Sequence, residues 1–263
     1  MVDAQQRLRE LGAYWATTRD VYGSAVSAEP ARNSDIAGDF ALVGDGLGTY
    51  AQAVALIENA VDAADALSTL WTNQLYHVPA DYMLIRGIVD YSMKAIWLLD
   101  PDDPSERTTR AWRLLRDSPS RAKNRAEAMI RANPTRPSRP QLIREAQNAG
   151  EYIQELDIAF AAALGTPRRP VLVEASEYIE VAEAQPFHSG RDGDVTRFWG
   201  QLSELVHGAS VPIQARLKDV GMEGVFRLTQ PDLDALARVA GLATGVFERA
   251  LQLFYQRVGW EVD

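Results

Sequence analysis

Cysteine is absent from the 263 residues. That removes thiol nucleophiles, Cys-ligated zinc, iron–sulfur clusters and disulfides together, and it suits a reducing compartment better than an oxidising one. Lysine is scarce: Lys94, Lys123 and Lys218 are the only three, so arginine supplies the other 24 of 27 cations. Three histidines occur, His77, His188 and His207, and no two of them stand four residues apart. The two-histidine face of a helical metal site is therefore not written into any one segment. The opening Met1-Val2-Asp3-Ala4-Gln5-Gln6-Arg7 lacks a basic stretch leading into an apolar run, and no apolar run approaches the roughly 20 residues of a membrane span. These absences predict a cytoplasmic chain with no membrane partner, no metal and no cofactor.

What is present is acidic and helical. Against the 27 cations stand 36 carboxylates, a formal charge of −9. The length allows one large domain or two small ones, and a chain of this size buries about 70–75% of its unfolded surface. Leu8, Leu11, Tyr14 and Trp15 recur at three- and four-residue spacing and predict a helix from Ala4 to about Arg19. Pro30, Asn33 and the glycines up to Gly48 predict a loop over 24–48, with Phe40–Val43 as a short strand. Thr49 then caps a long helix carrying Tyr50, Val54, Ile57, Val61, Leu67 and Trp71 on its apolar face. A second long helix runs from Pro79 to Leu99 and is ended by Asp100-Pro101-Asp102-Asp103-Pro104. Further helices are expected at about 105–132, with a break near Pro119, and at 141–164, 170–184, 195–209 and 231–258. The stretch 211–228, apolar around Gly221 and Gly224, is the only one that suits a β-hairpin. The expected fold class is all-α: an antiparallel bundle of long helices with this one short hairpin, the bundle occupying 49–263 after an N-terminal helix and loop over 1–48.

No segment announces a reaction. Gly44-Asp45-Gly46-Leu47-Gly48 has the wrong glycine spacing for a dinucleotide-binding turn and no strand–helix repeats to present one. Asp102, Asp103 and Glu106 are hard oxygen ligands of the kind that hold magnesium on a small diphosphate substrate, yet Pro101 and Pro104 set them in a turn. Their plainer use is capping a helix whose first turn favours negative charge. No Gly-x-Ser-x-Gly elbow is present to support serine catalysis.

Charge is more informative. Between Arg107 and Arg144 lie eleven cations against Asp117 and Glu127, a local balance of +9, which leaves −18 for the remainder. Arg107, Arg110 and Arg113, with Arg116 and Lys123 beyond them, form a basic helical surface that can hold phosphates or an acidic protein, since guanidinium binds oxyanions bidentately. The same surface can instead dock on acidic parts of this chain or of a second copy.

Three segments carry a family resemblance: Ile85–Pro101 with its Leu98-Leu99-Asp100-Pro101 end, Phe198-Trp199-Gly200-Gln201-Leu202-Ser203-Glu204-Leu205-Val206-His207-Gly208, and Leu253–Trp260. In that order they resemble actinobacterial helical-bundle proteins of the HEPN-like type. The resemblance implies an all-α bundle, a homodimer and a part in bacterial stress or defence. In the ribonuclease members an arginine precedes a histidine on one helix by about four to six residues. Imidazole, titrating near neutrality, moves the proton, and guanidinium stabilises the phosphorane without metal. His207 matches the histidine. No arginine stands there: Gly200, Gln201, Leu202 and Ser203 occupy the stretch, and the nearest upstream cation, Arg197, stands ten residues away, about 15 Å along a helix. Arg86, on another helix, is the other candidate partner, although an ion pair with Asp90 four residues on is its simpler use.

The sequence thus supports, first, a non-enzymatic interaction module whose basic 107–144 segment engages RNA or an acidic protein. A metal-independent endoribonuclease using His207 with Arg86 or Arg197 is the alternative, and a magnesium-dependent enzyme on a small diphosphate is the third.

Overall fold

A computed structural model describes residues 3–26, 29–43, 48–133, 135, 137–165, 172–186, 194–206, 217–223 and 226–260. Among these the chain forms nine helices: α1 (Ala4–Val26), α2 (Asp35–Val43), α3 (Thr49–Thr72), α4 (Val78–Leu99), α5 (Pro104–Ala132), α6 (Arg139–Leu164), α7 (Ala175–Glu183), α8 (Asp194–Val206) and α9 (Leu233–Val258). The fold is all-α. An antiparallel strand pair, β1 (Leu217–Glu223) and β2 (Phe226–Pro231), precedes α9, with Leu217 opposite Pro231 and Glu223 opposite Phe226. No helix among the described residues is long and apolar enough to cross a membrane.

The largest departure from the expected elements lies near the N-terminus. α1 continues to Val26, and Phe40–Val43, expected as a strand, is the last turn of α2. The local reason is a cap: the Ser34 hydroxyl accepts the Ala37 N–H at 3.2 Å, and α2 buries Ile36 and Asp39 on one side. Gly38 lies inside α2 without breaking it, since a glycine in a helix costs only about 1 kcal/mol. Similarly, Pro119 lies inside α5 without ending it. It removes one N–H from the ladder, and the 29-residue helix retains the rest.

Two compact units are each assembled from three separated stretches, so residues 1–48 contribute to both. The first comprises Met1–Glu29, Val54–Trp97 and Tyr178–Gln256. Its core holds Leu8, Trp15, Ile57, Leu67, Trp71, Ile85, Ile88, Phe247 and Phe254, which are the apolar stripe positions expected of helices buried on one face. Trp15 and Trp71 meet with ring centroids 5.3 Å apart.

The second unit comprises Pro30–Ala53, Leu98–Glu177 and Arg257–Asp263. α5 and α6 form its antiparallel hairpin. Trp112 stacks on Phe160 at 4.5 Å and Arg116 pairs with Asp157, while Gly150 lies beneath the Lys123 ammonium. These contacts advance along α5 as they retreat along α6. Trp112, Leu156 and Phe160 centre a core that also takes Val43, Leu115 and Leu164. Where α9 ends, Gly259 has φ +74°, and a Cβ there would stand 2.9 Å from that of Ala31. Only glycine fits this close turn, which the Ala31 N–H to Val258 carbonyl bond of 2.9 Å holds.

Candidate functional site

The most basic stretch of the chain is where any anionic ligand would be sought, and its arginines fall into two groups along the α5–α6 hairpin. At the start of α5, Arg107 is 1% exposed. Its Nε and Nη2 donate to the two oxygens of Asp39 at 3.0 and 2.7 Å, and Nη1 donates to the carbonyls of Pro101 and Asp102, both at 2.8 Å. Arg257 completes the arrangement: Nε donates to Leu99 O, Nη2 to Asp100 O and Asp102 Oδ1, and Nη1 to Asp35 Oδ2, at 2.6–2.8 Å. A helix end leaves its last carbonyls without partners. Two guanidinium groups take up those at the end of α4 and fix the Asp100–Asp103 turn. Burial raises the Asp39 carboxyl above its ordinary range, and the Arg107 ion pair opposes that rise.

The remaining arginines of this half are also neutralised within the chain. Arg113 grips Glu177 with both terminal nitrogens at 2.7 Å, and Arg116 grips Asp157 at 2.6 and 2.9 Å. Hydrogen bonds from Arg113 hold the Glu177 carboxyl below the usual carboxylate range. Arg110 pairs with Glu106 and Arg121 with Asp117, each one helical turn away. This corrects the expectation that Arg107, Arg110, Arg113 and Arg116 form a free anion-binding face. Arg107 is unreachable, and the others are committed to carboxylates.

Beyond Arg121 the pattern changes. Lys123 is half-buried and Arg125, Arg139 and Arg144 are exposed, and none of these four has an ion pair among the described residues. Arg131 meets Glu127 only at 3.8 Å, with both side chains exposed, a pair worth little in water. From Lys123 to Gln147 the described residues hold five cations against Glu127 and Glu145, a balance of +3. Of the residues singled out from the sequence only Lys123 belongs to this group.

The acids of the α4–α5 turn have other duties than metal binding. Asp103 caps α5 by accepting the Ser105 N–H at 3.0 Å, Glu106 pairs with Arg110, and Asp102 takes its bond from Arg257. That hydrogen bond holds the Asp102 carboxyl below its ordinary range. These occupations correct the magnesium-site reading of Asp102, Asp103 and Glu106. Among the described residues no three His, Asp or Glu side chains converge as metal ligands.

Arg86 forms the expected ion pair with Asp90 at 2.7 Å and has a partner the sequence did not reveal. Its guanidinium lies over the Trp199 ring at 4.0 Å and donates to the Trp199 carbonyl at 3.0 Å, while the Trp199 indole N–H donates to Asp90 at 2.7 Å. The three side chains close a loop that pins α8 to α4. Arg86 is thereby occupied with positioning a helix. Arg197, on the same helix as Trp199, is exposed. His207, with the His188 and Gly44–Leu47 readings, lies outside the described residues.

Protein families, curated proteins and solved structures were compared with this chain. It matches none of them.

Proposed function

We propose that this chain is a non-enzymatic helical interaction module that holds an anionic partner on the distal half of the α5–α6 hairpin. The observation that carries this reading is the division among its basic residues. Before Lys123 the arginines of α5 are spent on internal carboxylates; beyond it, among the described residues of the hairpin, Arg125, Arg131, Arg139 and Arg144 are exposed with little compensation. A basic patch only partly compensated, on a chain of net charge −9, focuses anion binding at one place and repels it elsewhere. The HEPN-like resemblance, the cytoplasmic setting and a homo-oligomeric state form part of the same proposal. The occupation of Arg86 by Asp90 and Trp199 favours binding over ribonuclease chemistry.

One experiment on purified protein tests both halves of this reading. Wild type should be retained on heparin at low salt, and the Lys123→Glu/Arg125→Glu/Arg139→Glu/Arg144→Glu variant should flow through with its helical content unchanged. Labelled RNA incubated with wild type in excess EDTA should remain full length. Cleavage that disappears in His207→Ala would establish the endoribonuclease instead, and wild type in the heparin flow-through would remove the binding module.

A further inference from the structure

The outer face of α6 has a charge order of its own. Leu142, Leu156 and Phe160 are buried and share one side of the helix, where Phe160 stacks on Trp112 of α5. On the other side Arg144, Asn148, Glu151, Glu155, Ile158 and Ala162 alternate at spacings of four and three residues, and all are exposed. They form a stripe within about 80° of arc, the spacing of a seam between two helices. The charges of this stripe are uncommitted. Glu145 accepts from Gln141 and Asp157 pairs with Arg116, whereas Arg144, Glu151 and Glu155 have no ion pair among the described residues. Ile158 is 62% exposed, more than any other large hydrophobic side chain among those residues.

Along the stripe the cation comes first and the two carboxylates follow. A uniformly anionic polymer laid on it would meet Glu151 and Glu155 after Arg144 and gain little. The fitting occupant presents the same signs in reverse order, and α6 of a second copy, turned antiparallel, does so. A two-fold axis passing between Ala149 and Gly150 sets Arg144 opposite the partner's Glu155 and Asn148 opposite the partner's Glu151, each contact occurring twice. Ile158 then falls within one residue of the place opposite the partner's Pro140, which is exposed in the first turn of α6. We propose, resting on the binding reading above, that the anionic partner held at Arg144 is a second copy of this chain, paired through antiparallel α6 helices. Exposed ion pairs are weak singly, and the symmetry doubles each of them. Heparin engages the same Arg144 at the expense of the partner's Glu155.

Because the chain has no cysteine, one introduced thiol reports one contact. With the axis between Ala149 and Gly150, residue Asn148 lies about 4.5 Å along the helix from its symmetry mate, and Gln141 about 26 Å. Asn148→Cys should therefore form an intermolecular disulfide under mild oxidation, and the equally exposed Gln141→Cys should not. Sedimentation velocity of the full chain gives a second readout. Wild type should pass from monomer to dimer between about 10 and 500 μM, the range of a small polar interface. Arg144→Glu and Glu155→Arg should each weaken the dimer at least about tenfold, and the exchange Arg144→Glu/Glu155→Arg should restore it. Salt of about 1 M, where the Debye length falls to about 3 Å, should dissociate wild type. A dimer that survives Arg144→Glu, or equal crosslinking in the two cysteine variants, would overturn this interface and leave the homo-oligomeric reading. Wild type that stays monomeric yet is retained on heparin would overturn the second copy as partner and leave the binding module. A monomer that also flows through heparin would overturn both.

Discussion

Arg107→Met should cost about 3–5 kcal/mol of unfolding free energy, because removing one member of a buried ion pair strands the other. In this chain the stranded group is Asp39, 2% exposed, and the carbonyls of Pro101 and Asp102 lose their donor at the same stroke. For a chain of this length that corresponds to a fall in Tm of about 10 °C. Urea unfolding at pH 7 measures it. The double variant Arg107→Met/Asp39→Leu should recover at least about 2 kcal/mol of the loss, since an apolar pair of similar volume replaces buried charge at little net cost. A single variant within about 0.5 kcal/mol of wild type, the range of an ordinary surface substitution, would mean that Arg107 does not hold the α4–α5 turn.

Asp81 should give the chain an unusual dependence on pH. Its side chain is fully buried in the first turn of α4, where one oxygen accepts the His77 backbone N–H at 3.0 Å. Burial pushes its pKa up to about 6 from an ordinary 3.8, and the His77 N–H and the Trp71 indole hold back part of that rise. The folded state therefore keeps this proton between pH 4 and 6, where the unfolded chain has released it. Stability contributed by the neutral carboxyl is complete below the unfolded value and lost as pH rises through the folded one, a change of about 3 kcal/mol at 1.36 kcal/mol per pKa unit. Asp102 and Glu177, whose carboxyls are held low, act in the opposite direction and lose their contribution as pH falls. Comparison with Asp81→Asn isolates the first effect. From pH 4 to pH 7, wild type should lose about 2–2.5 kcal/mol relative to the variant; parallel profiles would show that Asp81 titrates as it does in the unfolded chain.

Local signals made much of this molecule legible. Apolar residues at helical spacing located α3 and α4 nearly to their ends, whereas the start of α5, expected at a Ser105 cap, lies slightly earlier, with Asp103 as the cap and Pro104 as the first helical residue. The pairs one turn apart, Arg86 with Asp90, Arg110 with Glu106 and Arg121 with Asp117, can likewise be read from spacing. The partners that matter most for the basic segment cannot. Arg113 meets Glu177 across 64 residues, Arg116 meets Asp157 across 41, and Arg107 meets Asp39 across 68. Nothing in local periodicity encodes such pairings, so a count of +9 over Arg107–Arg144 overstated the free charge of its first half. α2 was obscured for a related reason. Gly38 and the glycines that follow Val43 suggested a loop, whereas the Ser34 cap and the burial of Ile36 and Asp39 decide in favour of helix.

The division of α5 into a structural half and a binding half is tested most directly by two matched variants, Arg113→Gln/Arg116→Gln and Arg125→Gln/Arg144→Gln. Each removes two positive charges, so net charge cannot distinguish them. The first should lose about 2–4 kcal/mol of stability, as charged hydrogen bonds to Glu177 and Asp157 are weakened, and should keep its affinity for heparin within about twofold of wild type, because neither arginine faces the ligand. The second should unfold within about 0.5 kcal/mol of wild type and bind heparin at least about tenfold more weakly at 100 mM salt. The reverse pattern, with affinity lost in the first variant and stability in the second, would contradict the assignment of the two halves.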